Sequence, residues 1–167
     1  MADSYHKLGM LAESRGRLGE AEDWYRKSLT IFGKLGDRLH MAASYHQLGN
    51  VAQLRGRLGD AEDWYRKSLT LKEELGDRPG TVISFGQLGL LAEATGRPRE
   101  ALEWMVRCVT VFDEFPHPMT EPGPQHLARL TAALGVDVLR RRWLDVTGHE
   151  PAATVVSFIE SHQAEES

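Results

Sequence analysis

Histidine, cysteine, paired carboxylates and glycine-rich turns are the features of this chain that could support catalysis, and none stands in a catalytic pattern. The seven histidines never fall at the His-Glu-x-x-His spacing that sets two imidazoles on one helix face for zinc. Cys108 is the only cysteine, so it has no Cys-x-x-Cys partner for zinc or thiol exchange. It takes the place held by Ser28 and Ser68 at intervals of forty residues, which predicts a small buried packing thiol rather than a nucleophile. The acidic pairs Glu22-Asp23 and Glu62-Asp63 fall in first helical turns, where complementing the helix dipole accounts for them. The recurring Gly-Arg-Leu-Gly lacks the Lys-Ser/Thr of a phosphate loop, and its glycines suit turn geometry. Nothing nominates a catalytic centre, a metal ligand set or a cofactor, so no enzyme is expected.

Composition narrows the partners. The chain has 167 residues, 26% charged and 41% apolar, as expected of one soluble domain with a substantial core. A net charge of −4 argues against nucleic acid, because phosphate binding wants a basic stripe. The one basic run, Arg140–Arg142, reads as a solvated helix face. Asp3, His6, Lys7, Glu13 and Arg15 interrupt the N-terminus, which excludes the apolar core of a signal peptide. No stretch approaches the roughly 18 apolar residues of a membrane span. A lone cysteine suits a reducing compartment. A cytoplasmic protein is expected, with neither nucleic acid nor membrane as partner.

The elements that hold these residues repeat. AEDWYRKSLT occurs unchanged at Ala21–Thr30 and Ala61–Thr70, and a worn copy, EALEWMVRCVT, ends at Thr110, forty residues further on. SYHKLG at Ser4–Gly9 returns as SYHQLG at Ser44–Gly49 and SFGQLG at Ser84–Gly89. Between Ser4–Arg38 and Ser44–Arg78, 25 of 35 positions are identical. Self-similarity at a fixed period of this size marks a stacked-repeat architecture.

Each period holds two helical patterns. In the second, Leu39, Ala42, Ala43, Tyr45, Leu48, Val51 and Ala52 recur at helical intervals, predicting a helix from Arg38 to Leu54 that ends before Gly56. A second helix is predicted from Asp60 to Leu75, closed by Gly76, with Asp77 as the next N-cap. Such a hairpin cannot bury both faces alone and must stack on its neighbours. Trp24, Trp64 and Trp104 share one repeat position, and each ring is expected to fill the junction between neighbouring hairpins rather than form an exposed binding ladder.

This pattern resembles the tetratricopeptide repeat, a helix–turn–helix unit. The second period matches at Tyr45, Leu48, Gly49, Ala52, Gly56, Ala61, Tyr65 and Ser68. The first matches at Tyr5, Leu8, Gly9, Ala12, Gly16, Ala21, Tyr25 and Ser28, and the third at Phe85, Leu88, Gly89, Ala92, Gly96, Ala101, Met105 and Cys108. The forty-residue period exceeds the family's usual 34, and the wording resembles C-terminal arrays of actinobacterial multidomain NTPase-type regulators. The expected fold is an all-α, right-handed α-solenoid in one domain spanning 1–167, with repeats at 1–37, 38–77 and 78–115.

After Phe115 the rhythm breaks. Four prolines in Pro116–Pro124 predict a linker. An amphipathic helix is then predicted from Gln125 to Val146, and a last one from Ala152 to Ser161. Together they make a degenerate hairpin at 125–163 that caps the array. At the other end the first repeat looks truncated, as in a fragment of a longer array. Its uncovered face near Tyr5, Leu8 and Ala12 should favour self-association.

The resemblance implies function. Members of this family hold an extended peptide or a helix in a concave groove lined by the inner helices. Carried onto this chain, the groove positions are His6, Lys7, Met10 and Glu13, then His46, Gln47, Asn50 and Gln53, then Gly86, Gln87, Leu90 and Glu93. Amides there suit a peptide backbone. Asn50 matches the carboxylate clamp of co-chaperone members, but His46, Gln47, Gly86 and Gln87 stand where cations would be needed, which argues against a clamp. His6 and His46 predict binding that changes near pH 6.5, where imidazole titrates. A non-catalytic interaction scaffold for a protein or peptide is expected. Two alternatives are a peptide-sensing segment of a larger NTPase or transcriptional regulator, and a homo-oligomerisation array.

Overall fold

Helix boundaries follow the sequence punctuation closely. A computed structural model describes residues 1–165. The first of its two compact units, Met1–Asp77, holds α1 (Ala2–Ser14), α2 (Leu18–Leu35), α3 (Arg38–Leu54) and α4 (Leu58–Glu74). The predicted span of α3 is the observed one, and α4 starts two residues before its predicted Asp60. Asp37 caps α3 by accepting from the His40 N–H at 3.2 Å. At its other end, Gly56 has φ 73°. That lets Gly56 and Arg57 N–H groups return to Gln53 and Ala52 carbonyls, each at 2.9 Å, and satisfy orphan acceptors.

Each hairpin closes on one glycine. A Cβ at Gly9 would lie 2.6 Å from Tyr25 Cε1, and one at Gly49 would lie 2.5 Å from Tyr65 Cε1. The missing side chain lets a buried phenol lie flat on the first helix. Between the hairpins of this unit, Leu48 and Val51 pack with Ala12, Ala21 and Tyr25. Full burial of such aliphatic side chains contributes about 1.5–3 kcal/mol each. Ser28 and Ser44 hydroxyls meet at 3.1 Å inside this layer.

The second unit begins at Arg78. It contains α5 (Arg78–Ala94), α6 (Pro98–Val109), a 3-10 turn (Pro118–Thr120), α7 (Gly123–Leu134), α8 (Val136–Thr147) and α9 (Ala153–Glu165). Leu102 and Val106 from α6 share one core with Leu127 and Leu130 from α7, Leu139 from α8 and Val155 from α9. Phe115 stands edge-on to Trp143 and Phe158 at 6.4 and 5.4 Å. Among the described residues every regular element is helical, the fold class expected from the sequence.

One predicted helix is two. The apolar period runs unbroken through Leu134 and Val138, but Gly135 adopts φ 96° and ψ 149°, which no helix contains. The chain therefore turns between α7 and α8, and the terminal segment has three helices where the sequence suggested two. The proline-rich stretch also ends earlier than predicted, because Gly123 and Pro124 already belong to the first turn of α7.

Candidate interaction surface

In the first unit the inner helices α1 and α3 carry eight of the expected contact residues. Lys7 and Met10 are exposed, and the other six are partly buried. The reason is the buried phenol of each hairpin. Tyr25 donates its hydroxyl to Glu13 Oε2 at 2.7 Å. The Tyr65 hydroxyl stands 2.8 Å from both Asn50 Oδ1 and Gln53 Oε1, and Asn50 Nδ2 donates to Gln47 Oε1 at 2.7 Å. Burial raises both phenol pKa values, helped by the charge of Glu13, so both stay protonated donors. The amides of α3 are thus a preset row, partly used internally.

The histidines pack on the same rings. His6 tilts against Tyr25 with centroids 5.3 Å apart, and His46 against Tyr65 at 5.5 Å. Burial, with a smaller push from Lys72, lowers the pKa of His46 to about 4. Burial and then His40 lower that of His6, against opposing effects of Asp3 and Glu13. Folding into the hairpin thus moves both imidazoles down from their ordinary value, His46 far enough to be neutral near pH 6.5.

The tryptophans meet the expectation of packing: Trp24 and Trp64 lie against the core that joins the first hairpin to the second, and Trp104 against the core of the second unit. Each is half-buried and stacks within its own hairpin: Trp24 on Tyr5 at 5.3 Å, Trp64 on Tyr45 at 5.7 Å and Trp104 on Phe85 at 5.8 Å. Lys27 and Lys67 cover the first two rings at 4.2 and 4.3 Å, and Arg107 lies 5.8 Å from the third. Arg26, 5.3 Å from Trp64, adds a cation contact from the first hairpin to the second. A cation cover, an aromatic floor and contact with the shared core suit a packing role.

In the second unit Gln87, Leu90 and Glu93 lie on α5. Glu93 is gripped by Arg129 of α7 through two bonds of 2.5 and 2.6 Å. Those bonds hold its pKa below the usual carboxylate value despite burial. Leu90 and Gln87 border a cavity of about 200 Å³, with Gly86 on the same wall. Its signal in the sequence is a pair of departures, Gly86 where the other repeats have histidine and Met105 where they have tyrosine.

Two further features escaped sequence reasoning. Glu22 serves no helix dipole. It is 8% exposed and binds Arg26, Arg55 and Arg57 at 2.8, 2.6 and 2.5 Å. Burial alone would raise its pKa, but hydrogen bonds and charge from Arg26 and Arg57 bring it below the ordinary value. At the N-terminal face, Ala12 is 2% exposed and Tyr5 is stacked, so the apolar exposure there falls on Leu8 and Leu11 at 40 and 45%. Among the described residues no helix is long and apolar enough to cross a membrane, and no group of three or more His, Cys, Asp or Glu could hold a metal ion.

A family model described as tetratricopeptide repeat matches residues 1–74 and again 40–114. The chain belongs to the tetratricopeptide repeat family. Solved structures share this fold. BtubC (BKLC) from P. vanneervenii is similar at TM-score 0.71 and 18% identity over 90% of this chain. A putative kinesin light chain from Podosopora anserina, with nearly identical TPR-like repeats, is similar at 0.68 and 19% over 99% of this chain and 76% of its own. The apo form of RapI is similar at 0.72 and 11%, covering 98% of this chain and 68% of its own. The tetratricopeptide chain spans 66% of the length of BtubC. No curated protein matches. The repeat family is in general a protein-interaction scaffold without catalysis of its own.

Proposed function

We propose that this chain is a non-catalytic scaffold that binds a peptide or an extended partner segment along the inner helices of its hairpins, in the cytoplasm. The observation that carries this reading is the amide row of α3, held by the Tyr65 hydroxyl with Gln47 and Asn50 bonded to each other. Preset amides lower the ordering cost of binding and pair with backbone donors and acceptors. Lys7 and Met10 add one cation and one flexible apolar contact on α1. The proposed frame is three repeats, 1–37, 38–77 and 78–115, then a linker that ends where α7 begins at Gly123 and a cap over the third hairpin made by α7, α8 and α9. Shared burial of Leu102, Leu127 and Leu139 supports the cap.

The test is capture of partners from a lysate, read by mass spectrometry, comparing the native chain with a Lys7→Ala, Gln47→Ala, Asn50→Ala variant of unchanged helicity. A protein held by the first and lost by the second supports the inner-helix surface. Equal capture by both removes it. A second reading, self-association, is favoured by Leu8, which is 40% exposed where its counterparts Leu48 and Leu88 are 1% exposed. Light scattering that shows only monomer at high concentration eliminates that alternative.

A further inference from the structure

The third hairpin departs from the first two at two facing positions. Where α1 and α3 carry His6 and His46, α5 carries Gly86, and where α2 and α4 carry Tyr25 and Tyr65, α6 carries Met105. In the first two hairpins imidazole and phenol fill the space beside the inner helix. In the third, Met105 lies down on Gly89, and a Cβ added at Gly86 would meet nothing within 4 Å. The space so vacated is a cavity of about 200 Å³. Met105 and Cys108 line it from α6, each at most 2% exposed. Thr120, Pro122 and Gly123, from the segment that follows the repeats, close it from the side. Ile83, Leu90 and Met119 border it with 52, 37 and 49% of their surface exposed.

Size and charge narrow the occupant. Sites for drug-sized molecules start at roughly 300 Å³, so this one suits a single side chain rather than a metabolite. The chain sets the scale itself, since an imidazole occupies the corresponding place twice. Among the residues lining the cavity, Glu121 is the only one charged at neutral pH. Burial and then Arg129 push the pKa of His126 down, against an opposing effect of Glu93. The Gln87 amide beside the opening can pair with a peptide backbone. We propose that this cavity is a subsite for one aliphatic side chain, leucine or methionine, of a partner peptide that carries lysine or arginine beside it. The proposal rests on the scaffold reading above and adds where the partner is anchored and by what chemistry.

The experiment is NMR of methionine methyl groups, because Met105 and Met119 line the cavity while Met10 and Met41 lie in the first unit as internal references. The probe is the capped peptide Ala-Ala-Leu-Lys-Ala, compared with versions carrying alanine for leucine or glutamate for lysine. Saturable shifts at Met105 and Met119 are expected with the first peptide. Loss of the leucine should weaken them roughly tenfold or more. Gly86→His, which restores the residue native to the other hairpins, should abolish the shifts at unchanged helicity, and Gly86→Leu should do the same. Glu121→Gln should remove the preference for lysine over glutamate. No saturable shift at these two methyls, or shifts that survive both Gly86 variants, overturn the proposal. Shifts confined to Met10 or Met41 overturn it while leaving the scaffold reading in place.

Discussion

Glu22 Oε2 lies 2.5 Å from Arg57 Nη2, which ties the second helix of the first hairpin to the turn of the second. Arg55 from the same turn reaches the same oxygen at 2.6 Å, and Arg26 holds the other. A buried carboxylate shared by three guanidinium groups fixes how the two hairpins of the first unit register. Removing one member of a fully buried pair costs about 3–5 kcal/mol, and exposed pairs are worth about 0–1. Here the carboxylate is covered and the arginines are 37–51% exposed. Glu22→Ala is therefore expected to lower stability by about 1–3 kcal/mol. The midpoint of urea unfolding measures it, and an unchanged midpoint would show that the cluster is not structural.

Gly49 and Gly33 should answer substitution with opposite signs. An alanine Cβ at Gly49 would sit 2.5 Å from the Tyr65 ring, whereas at Gly33 nothing lies within 4 Å. Gly49→Ala forces the ring out of its seat, and such overpacking costs about 1–3 kcal/mol. Gly33→Ala removes unfolded-chain entropy and gains about 0.5–1 kcal/mol. Thermal midpoints of the two variants, measured side by side, decide it. A tolerated Gly49→Ala would mean that the phenol does not hold the hairpin closed.

Stability should fall on acidification before most carboxylates titrate. His46 is neutral when folded, with its pKa lowered to about 4, and it titrates near 6.5 when unfolded. Between those values the unfolded state binds a proton that the folded state refuses, so stability is full above pH 6.5 and declines toward pH 4. Glu22 and Glu93, whose folded pKa values are also lowered, add losses at lower pH. Melting midpoints at pH 7 and pH 4.5 should therefore differ more for the native chain than for His46→Gln. Equal differences would place His46 in water. Partner affinity, by contrast, is expected to stay flat from pH 5.5 to 8.

The sequence showed period, hairpin and turn because those depend on local chemistry. Leu48 and Val51 at helical spacing, and Gly56 after them, are enough to draw α3 to its observed ends. Two things were not legible. The break between α7 and α8 depends on the backbone of Gly135, and the apolar spacing across it gives no warning. The site depends on what faces what. Asn50 and Gln53 look like free groove amides in a line of letters, and only the fold brings the Tyr65 hydroxyl between them. Two of the three arginines of Glu22, Arg55 and Arg57, come from thirty-odd residues away on the next hairpin, and no spacing rule joins them.

Cys108 separates a packing thiol from a nucleophile in a single measurement. It is 2% exposed, its Sγ lies 3.7 Å from the Val82 carbonyl, and burial pushes its pKa up to about 12. The same repeat position in the second hairpin holds Ser68, whose hydroxyl bonds the Ala42 carbonyl at 2.8 Å, so the Cys108 thiol stands against the carbonyl that matches it one repeat on. A thiol reagent needs the thiolate and access to it, and the folded chain supplies neither at pH 8. Reaction with an aromatic disulfide should be complete within minutes in strong urea. In native buffer it should be slower by orders of magnitude, at a rate set by opening of the second unit. Because Cys108 also lines the cavity of the third hairpin, a peptide seated there should slow the native reaction further. Rapid modification of the folded chain would contradict both the burial and the raised pKa, and would reopen a reactive role for this thiol.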